Sequence, residues 1–255
     1  VTNTDWAAAL QSTVWPRFTI NKESLLLIVA VFGTTISPYL FFWQTSMEVE
    51  DKTAKIKRLF TRWIVTRHEL KDMKEDVTSG MFLSNLVMWF IIVAAAVTLN
   101  ANGLTNILTV EDAASALRPI AGAGASLIFS LGIISVSFLA IPVLAGASSY
   151  ALAETFDWRE GMNKTFHQAK QFYAILLISM LVGLLIPLLG IDPIRALFYT
   201  GVFYGITAPI LIFAILHIAN NQKVMGRYTN SRTTNFLGYA ALVIMAVAVL
   251  ALLFV

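Results

Sequence analysis

The sequence has no cysteine and few charged residues. Without cysteine, the 255 residues form no disulfide bond, no thiolate metal site and no cysteine nucleophile. Charged residues make up only 13% of the chain, hydrophobic residues make up 57%, and the mean hydropathy is +0.72. A soluble domain needs a larger share of charged surface than this. The composition therefore indicates an integral membrane protein.

Groups that could carry out catalysis are also scarce. The three histidines are His68, His167 and His217, and none is paired with an acid at a metal-ligand spacing such as HExxH. Ser148 and Ser149 follow a glycine closely, but the sequence has no GxSxG motif, which presents the nucleophile of many hydrolases. We therefore expect no enzymatic activity and no resident cofactor.

Six apolar segments are long enough to cross a bilayer, at about 20 residues a crossing. They are residues 25–44, 81–99, 120–152, 172–189, 194–217 and 236–255. The third is too long for one upright helix and contains Pro142, so we expect a tilted or kinked helix, or a surface helix before it. The fifth is predicted to be interrupted at Gly205 and Pro209. These segments predict an all-α, polytopic membrane protein.

The first residues differ from a signal peptide, because they have no basic start, apolar core or cleavage site. We predict that residues 1–24 are an extracytoplasmic lead-in to a transmembrane domain at residues 25–255. Since the chain starts at Val1 rather than at methionine, we also expect it to be part of a longer protein.

Basic residues are concentrated in alternate loops. Of the 18 Lys and Arg residues, 14 lie in the loops after the first, third and fifth segments. The positive-inside rule places these loops in the cytoplasm, including the basic loop at residues 45–80. This distribution explains the excess of basic residues by topology, so we expect no nucleic-acid partner. Within the 45–80 loop, apolar residues at helical spacing predict either a helix on anionic headgroups or a partner-binding helix. They are Ile56, Leu59, Phe60, Trp63 and Ile64.

The first segment contains a helix breaker at its centre, in the sequence Gly33-Thr34-Thr35-Ile36-Ser37-Pro38. Proline removes a backbone donor and pushes Ser37 away from helical geometry, while glycine loosens the turn before it. At membrane depth, a break persists only where it is buried in protein or lines a polar cavity. Secondary transporters build their substrate sites from such broken helices. The segment therefore predicts a transporter.

The candidate ligands at this break are oxygen atoms. They are the carbonyl oxygens near Thr34 and Thr35 and the hydroxyls of Thr34, Thr35 and Ser37, which suit hard cations such as Mg²⁺, Mn²⁺ or Na⁺. No Asp, Glu, Lys or Arg lies deep within any segment. Either the substrate is not an ion, or another part of the protein supplies charged ligands. The alternative is a kinked helix whose hydroxyls bond to their own backbone.

Three stretches resemble one family of transporters. The run GTTISPYLFFWQTSMEVED, residues 33–51, resembles the sixth transmembrane helix of the Nramp divalent metal transporters. Residues 221–227, NQKVMGR, are similar to the polar stretch after the family's tenth helix. Asn230 and the apolar run from Phe236 resemble the start of the eleventh. The chain is thus similar to family helices six to eleven.

This resemblance implies a fold and a function. The family has the LeuT-type fold of two inverted five-helix repeats, so this chain corresponds to the second repeat plus one extra helix. The first repeat carries the metal-binding Asp-Pro-Gly-Asn break, which does not occur here. The resemblance implies transport of a divalent cation by alternating access across the plasma (inner) membrane. The partners are the lipid bilayer and an N-terminal transmembrane half.

The break departs from the family's usual residues. Ser37 stands where the family has its methionine ligand, Thr34 where it has the alanine whose carbonyl is a ligand, and Tyr39 where it has a histidine. A thioether favours soft metals, whereas a hydroxyl or a retained water suits hard ions such as Mg²⁺. This pattern is similar to that of the Nramp-related magnesium transporters. It implies Ser37 and Thr34 as metal ligands, with the helix break formed by Gly33, Thr35, Pro38 and Tyr39.

Other departures concern the tenth helix and the choice of substrate. Where the family has a glutamine near the metal, this sequence has Thr200-Gly201, so that ligand has no counterpart. Mg²⁺ or Mn²⁺ is the expected substrate. Two alternatives stay open: an amino-acid or amine transporter of the same architecture, and a non-transporting membrane scaffold subunit.

Overall fold

The computed structural model describes residues 5–16, 21–59, 65–98, 109–115 and 122–254, and within these ranges it contains helices and no strand. The α helices are α1 (Trp6–Val14), α2 (Lys22–Thr35), α3 (Pro38–Leu59), α4 (Arg67–Thr98), α5 (Val110–Ser115), α6 (Ala125–Thr155), α7 (Lys170–Leu188), α8 (Pro193–Asn220), α9 (Gln222–Met225) and α10 (Arg232–Phe254). A 3₁₀ turn at Gly122–Gly124 precedes α6. The prediction of an all-α chain is confirmed.

Six helical segments among the described residues are long and apolar enough to cross a membrane. They are Lys22–Ile56, Arg67–Thr98, Gly122–Thr155, Lys170–Leu188, Pro193–Asn220 and Arg232–Leu252. The predicted number of crossings is therefore confirmed, and each segment overlaps one apolar stretch found in the sequence. The predicted ends at residues 99, 120 and 255 lie outside the described residues. The boundary between lead-in and transmembrane domain stays a prediction.

The basic segment at residues 45–80 is largely helical rather than a loop. Helix α3 continues to Leu59, and α4 begins at Arg67. The reason is that residues 39–79 contain no glycine or proline, and many are good helix formers. Hydropathy marks the part of a helix that lies in lipid and not the point where the helix ends. Phe60, Trp63 and Ile64 lie outside the described residues, so both interpretations of the amphipathic stretch stay predictions.

The predicted interruption of the fifth segment is wrong. Helix α8 runs without a break through Gly205 and Pro209, as α6 does through Pro142. In lipid, backbone groups have no water to bond with, so a helix persists through proline where other groups support the turn. Pro209 leaves the Gly205 oxygen without its helical donor. The Thr207 hydroxyl bonds one turn earlier in the same helix, 3.2 Å from the Phe203 oxygen and 3.0 Å from the Tyr204 oxygen.

The described chain divides into two compact units. The first unit comprises Val1–Pro16 and Gln44–Ile178, and the second comprises Arg17–Trp43 and Ser179–Val255. The boundary passes through α3 and α7, so each of these helices contributes to both units.

Within the second unit, α2 and α8 approach each other through glycine. A Cβ atom added to Gly33 would lie 2.0 Å from the carbonyl oxygen of Gly201 and 2.3 Å from the amide nitrogen of Gly205. A Cβ atom added to Gly205 would lie 2.2 Å from the carbonyl oxygen of Val29. Gly201 and Gly205 form a GxxxG motif, which allows two helix backbones to come close in a membrane. Buried Val29, Ala30 and Val202 pack around this contact.

An amide network joins α8 to α10 at the other end of the same unit. The side-chain amides of Asn220 and Asn235 donate to each other's oxygens, at 2.9 and 2.6 Å. Asn230 adds a hydrogen bond from its Nδ2 to the Asn235 oxygen, at 3.1 Å. Such fully paired amides fix the register of two helices where apolar packing alone does not.

The glycine contact generates a stability prediction. Gly205→Ala in the full-length protein should lower the free energy of unfolding by about 1–3 kcal/mol, because the methyl group overlaps backbone atoms that cannot rotate away. The matched controls are Gly132→Ala in α6 and Gly183→Ala in α7, where an added Cβ meets no described atom within 4 Å. Denaturant unfolding in detergent micelles measures all three. Equal effects in the three variants would contradict the backbone contact.

Candidate functional site at the interrupted helix

The interruption between α2 and α3 is two residues long. Helix α2 ends at Thr35, α3 begins at Pro38, and only Ile36 and Ser37 lie between them. Ile36 has φ −106° and ψ 69°, outside the helical range, and its amide still donates to the Phe32 oxygen at 2.8 Å. The residue before a proline is disfavoured in helical geometry, which explains why the chain leaves the helix here.

Two of the predicted break residues have a different role. Gly33 is part of α2, where it provides the close contact with α8, and Thr35 is the last residue of that helix. Tyr39 lies in the first turn of α3. The structure therefore makes the break narrower than the sequence suggested, because a glycine packed against another backbone stays helical.

The hydroxyl of Ser37 replaces a missing backbone donor. In a continuous helix, the carbonyl of Thr34 would accept from the amide of residue 38, but Pro38 has no N–H. Ser37 Oγ instead donates to the Thr34 oxygen at 2.6 Å and lies 3.2 Å from the Gly33 oxygen. Ser37 is only 1% exposed. A carbonyl without a donor is costly where lipid or protein replaces water, so this hydrogen bond supports the break.

The neighbouring threonine hydroxyls also bond to the backbone. Thr34 Oγ1 and Thr35 Oγ1 both donate to the carbonyl oxygen of Val31, at 3.0 and 2.7 Å. All three hydroxyls therefore have the geometry of the alternative interpretation, a kinked helix whose hydroxyls bond to their own backbone. This geometry leaves acceptor capacity, because a hydroxyl that donates its one hydrogen keeps its lone pairs and a carbonyl oxygen has two.

Ser37 Oγ and the Thr34 oxygen form a pair that is nearly spaced for a cation. In an octahedral site with Mg–O distances of about 2.0–2.1 Å, adjacent ligand oxygens are about 2.9 Å apart. The two oxygens are 2.6 Å apart because a hydrogen bond joins them. Direct binding of Mg²⁺ to both would therefore turn the hydroxyl hydrogen away and separate the oxygens slightly. A hydrated ion would reach them without that change.

The facing helix contributes backbone rather than a ligand side chain. A Cβ atom added to Gly201 would lie 3.1 Å from Thr34 Cγ2 and 3.3 Å from the Ala30 oxygen, so Gly201 faces the last turns of α2. Its neighbour Thr200 is exposed and donates to the Ala196 oxygen at 2.8 Å. One turn further along α8, the ring of Tyr204 lies 6.2 Å from that of Tyr39.

Sequence reasoning missed two features of this site. Gly205 was interpreted as an interruption, although its four-residue spacing from Gly201 is the signal of a helix-packing motif. The pairing of Tyr39 with Tyr204 has no local signal, because 165 positions separate the two residues in the sequence.

No group of three or more His, Cys, Asp or Glu side chains that could hold a metal ion occurs within the described ranges. The ligands that these ranges offer at the break are the neutral oxygens of Ser37 and Thr34. Neutral oxygens alone bind a divalent ion weakly, since carboxylates provide most of the affinity of such sites.

The substitution Ser37→Ala tests the hydroxyl as a replacement donor. It should lower the free energy of unfolding by about 1–3 kcal/mol, because the Thr34 carbonyl loses the donor that the buried Ser37 hydroxyl provides. Ser135→Ala is the control, since Ser135 Oγ also donates to a carbonyl four residues back, at 2.8 Å, but lies exposed inside the unbroken helix α6. Denaturant unfolding of the full-length variants measures both. A loss in Ser37→Ala no larger than in the control would refute the role.

The curated relatives that this chain resembles include three proteins named as divalent metal cation transporters. The divalent metal cation transporter MntH of Caldanaerobacter subterraneus subsp. tengcongensis is 23% identical over 237 residues, which are 92% of this chain and 51% of that protein. MntH of Klebsiella pneumoniae is 26% identical over 226 residues, 88% of this chain and 49% of that protein. MntH of Mycobacterium leprae is 25% identical over 231 residues, 91% of this chain and 50% of that protein.

The chain thus spans about half the length of these relatives. The model of one family, described as natural resistance-associated macrophage protein-like, matches residues 1–255. The resemblance noted in the sequence is confirmed, and the inverted-repeat fold that it implies agrees with the all-helical structure. Because the family model matches the entire sequence, the chain belongs to the Nramp family.

Proposed function

We propose that the complete protein containing this chain transports divalent metal cations across the plasma (inner) membrane by alternating access. The observation that carries this proposal is the hydrogen bond between the buried Ser37 hydroxyl and the Thr34 carbonyl at an interrupted membrane helix. Membership of the Nramp family supports it, as do the names of the MntH relatives. A helix interrupted within the bilayer needs polar partners, and transporters use this need to bind ions.

In this mechanism the chain supplies one side of the ion site. Ser37 Oγ and the Thr34 oxygen coordinate the cation directly or through retained water, and Pro38 maintains the break by withholding an amide donor. The charged ligands come from the N-terminal transmembrane half, which we propose as an essential partner together with the lipid bilayer. The cation is the substrate, and the proposal includes no resident cofactor, no catalytic step and no nucleic acid.

The residue at position 37 favours Mg²⁺ or Mn²⁺ over softer metals. A hydroxyl is a hard ligand, and Mg²⁺ gives up its water reluctantly. With 2.6 Å between the two oxygens, an ion that keeps part of its water shell needs the smallest change at the break. A methionine at this position would instead offer a soft thioether.

The substitution Ser37→Met tests the choice of ion. In the full-length protein reconstituted into liposomes, it should raise uptake of Cd²⁺ and Mn²⁺ relative to Mg²⁺ by about tenfold, because a thioether replaces a hydroxyl. Ser135→Met provides the control, since it places the same side chain on an exposed position of α6 and should leave the ratio unchanged. An unchanged ratio in Ser37→Met would remove Ser37 from the site.

Binding should be measured alongside uptake. Isothermal titration of Mg²⁺, Mn²⁺ and Ca²⁺ into the purified full-length protein should show Mg²⁺ or Mn²⁺ binding that changes with Ser37→Met. Uptake of an amine or amino acid that divalent ions do not affect would support an organic-substrate transporter instead. Absence of both binding and uptake would support a scaffold subunit.

A further inference from the structure

The first unit contains a polar cluster that lies outside the proposed ion site. It joins α3, the end of α6 and the segment between α6 and α7, residues 156–169, which we call the strap. A cavity of about 770 Å³ lies among these three parts. Its charged lining residues are Glu50, Glu154, Arg159, Glu160 and Lys164.

Glu50 of α3 is the centre of the cluster. Its Oε1 accepts a hydrogen bond of 2.6 Å from the Tyr150 hydroxyl of α6 and one of 3.0 Å from the Met162 amide of the strap. The same amide lies 3.1 Å from the Tyr150 hydroxyl oxygen. Tyr150 is 1% exposed, and its ring packs edge-on against Phe172 at 4.8 Å. Hydrogen bonds to the Glu50 carboxylate therefore link α3 to both α6 and the strap.

The strap is shaped for this contact. Gly161 is buried with φ +133°, a conformation that side-chain-bearing residues rarely adopt, and an added Cβ would lie 2.6 Å from Glu50 Oε1. The Tyr173 hydroxyl donates to the Lys164 oxygen at 2.7 Å, which holds the far side of the strap to α7. The strap backbone thus comes close to Glu50 at Gly161, which has no side chain to block the contact.

Glu160 is next to this glycine, and few neighbouring groups stabilise the negative charge of its ionised carboxylate. Its Oε2 atom is buried and has no hydrogen-bond partner among the residues that the structure describes. Lys164 Nζ donates to the backbone oxygen of Glu160. Burial, followed by the negative charge of Glu154, raises the pKa of Glu160 above its ordinary value, while Lys164 lowers the pKa and Glu50 raises it.

We propose that the strap is a proton-operated latch on α3: the Met162 amide stays bonded to Glu50 while the Glu160 carboxyl is protonated, and the strap moves away from α3 when that carboxyl ionises. Ionisation places a third negative charge beside Glu50 and Glu154. It also leaves a buried anionic oxygen without a donor, which costs free energy. Moving the strap outward hydrates the anion but breaks the hydrogen bond from the Met162 amide to Glu50.

The direction of the pH effect follows from linkage. A carboxyl whose pKa is raised in the closed state binds its proton more tightly there than in the open state. The closed strap is therefore most stable at acidic pH, and its stability is lost as the pH rises through the raised pKa of Glu160. The groups facing Glu160 are Glu50 on α3, Tyr150 and Glu154 on α6, and Arg159 and Lys164 on the strap. The inference does not depend on which substrate is transported.

Hydrogen exchange of the full-length protein tests this proposal. The readout is the protection of strap amides, including that of Met162, relative to the intrinsic exchange rate at each pH. As the pH rises from acidic to mildly alkaline, we expect wild-type protection to fall severalfold, because the closed state loses its bound proton. Glu160→Gln and Glu160→Met, which are both neutral, should keep the acid-pH protection throughout, whereas the exposed control Glu75→Gln should behave like the wild type.

A second variant tests the contact with α6. Tyr150→Phe keeps the ring packed on Phe172 but removes the hydroxyl, so strap protection should be lower at every pH while its dependence on pH remains. Wild-type protection that does not change with pH would overturn the proposal, as would a pH dependence that survives in both Glu160 variants. Unchanged protection in Tyr150→Phe would equally overturn it, since closure would then not involve Tyr150.

Discussion

The second unit depends on one substituted hydrogen bond. Pro38 withholds the amide that would have bonded to the Thr34 carbonyl, and lipid offers no water in its place. The buried hydroxyl of Ser37 takes over that bond at 2.6 Å. A serine at this position therefore satisfies the backbone and at the same time places a hydroxyl oxygen at the break. Any residue without a hydroxyl must leave the carbonyl to a water, an ion or another part of the protein.

The glycine contact gives this break a rigid support. Because Gly33, Gly201 and Gly205 have no side chains, the backbones of α2 and α8 touch directly, and α2 is held up to its last turn. Direct backbone packing tolerates little displacement, since protein interiors are close-packed. The non-helical part is limited to Ile36 and Ser37. Because the interruption is only two residues long, few backbone N–H and C=O groups need a hydrogen-bond partner other than water.

The sequence predicted the number of crossings and the place of the interruption, because both depend on local properties: hydropathy over about 20 residues, and proline chemistry. It did not predict that α3 extends to Leu59 or that α8 continues through Pro209. Helix ends depend on where backbone groups find other partners, which hydropathy does not measure. Contacts such as Glu50 with Tyr150, 100 positions apart, have no signal in a single sequence.

Helix α3 is held by different chemistry at its two ends. At Pro38 it follows a hydroxyl–carbonyl pair of neutral oxygens, whose hydrogen bond a cation can replace. Three turns further on, the Glu50 carboxylate accepts hydrogen bonds from two donors, beside Glu160, whose pKa is raised by burial. In the two proposals each contact responds to a different positive charge, a metal ion or a proton, because one consists of neutral oxygens and the other of carboxyl groups. One helix thus carries both the contact that we propose to be sensitive to metal ions and the contact that we propose to be sensitive to protons.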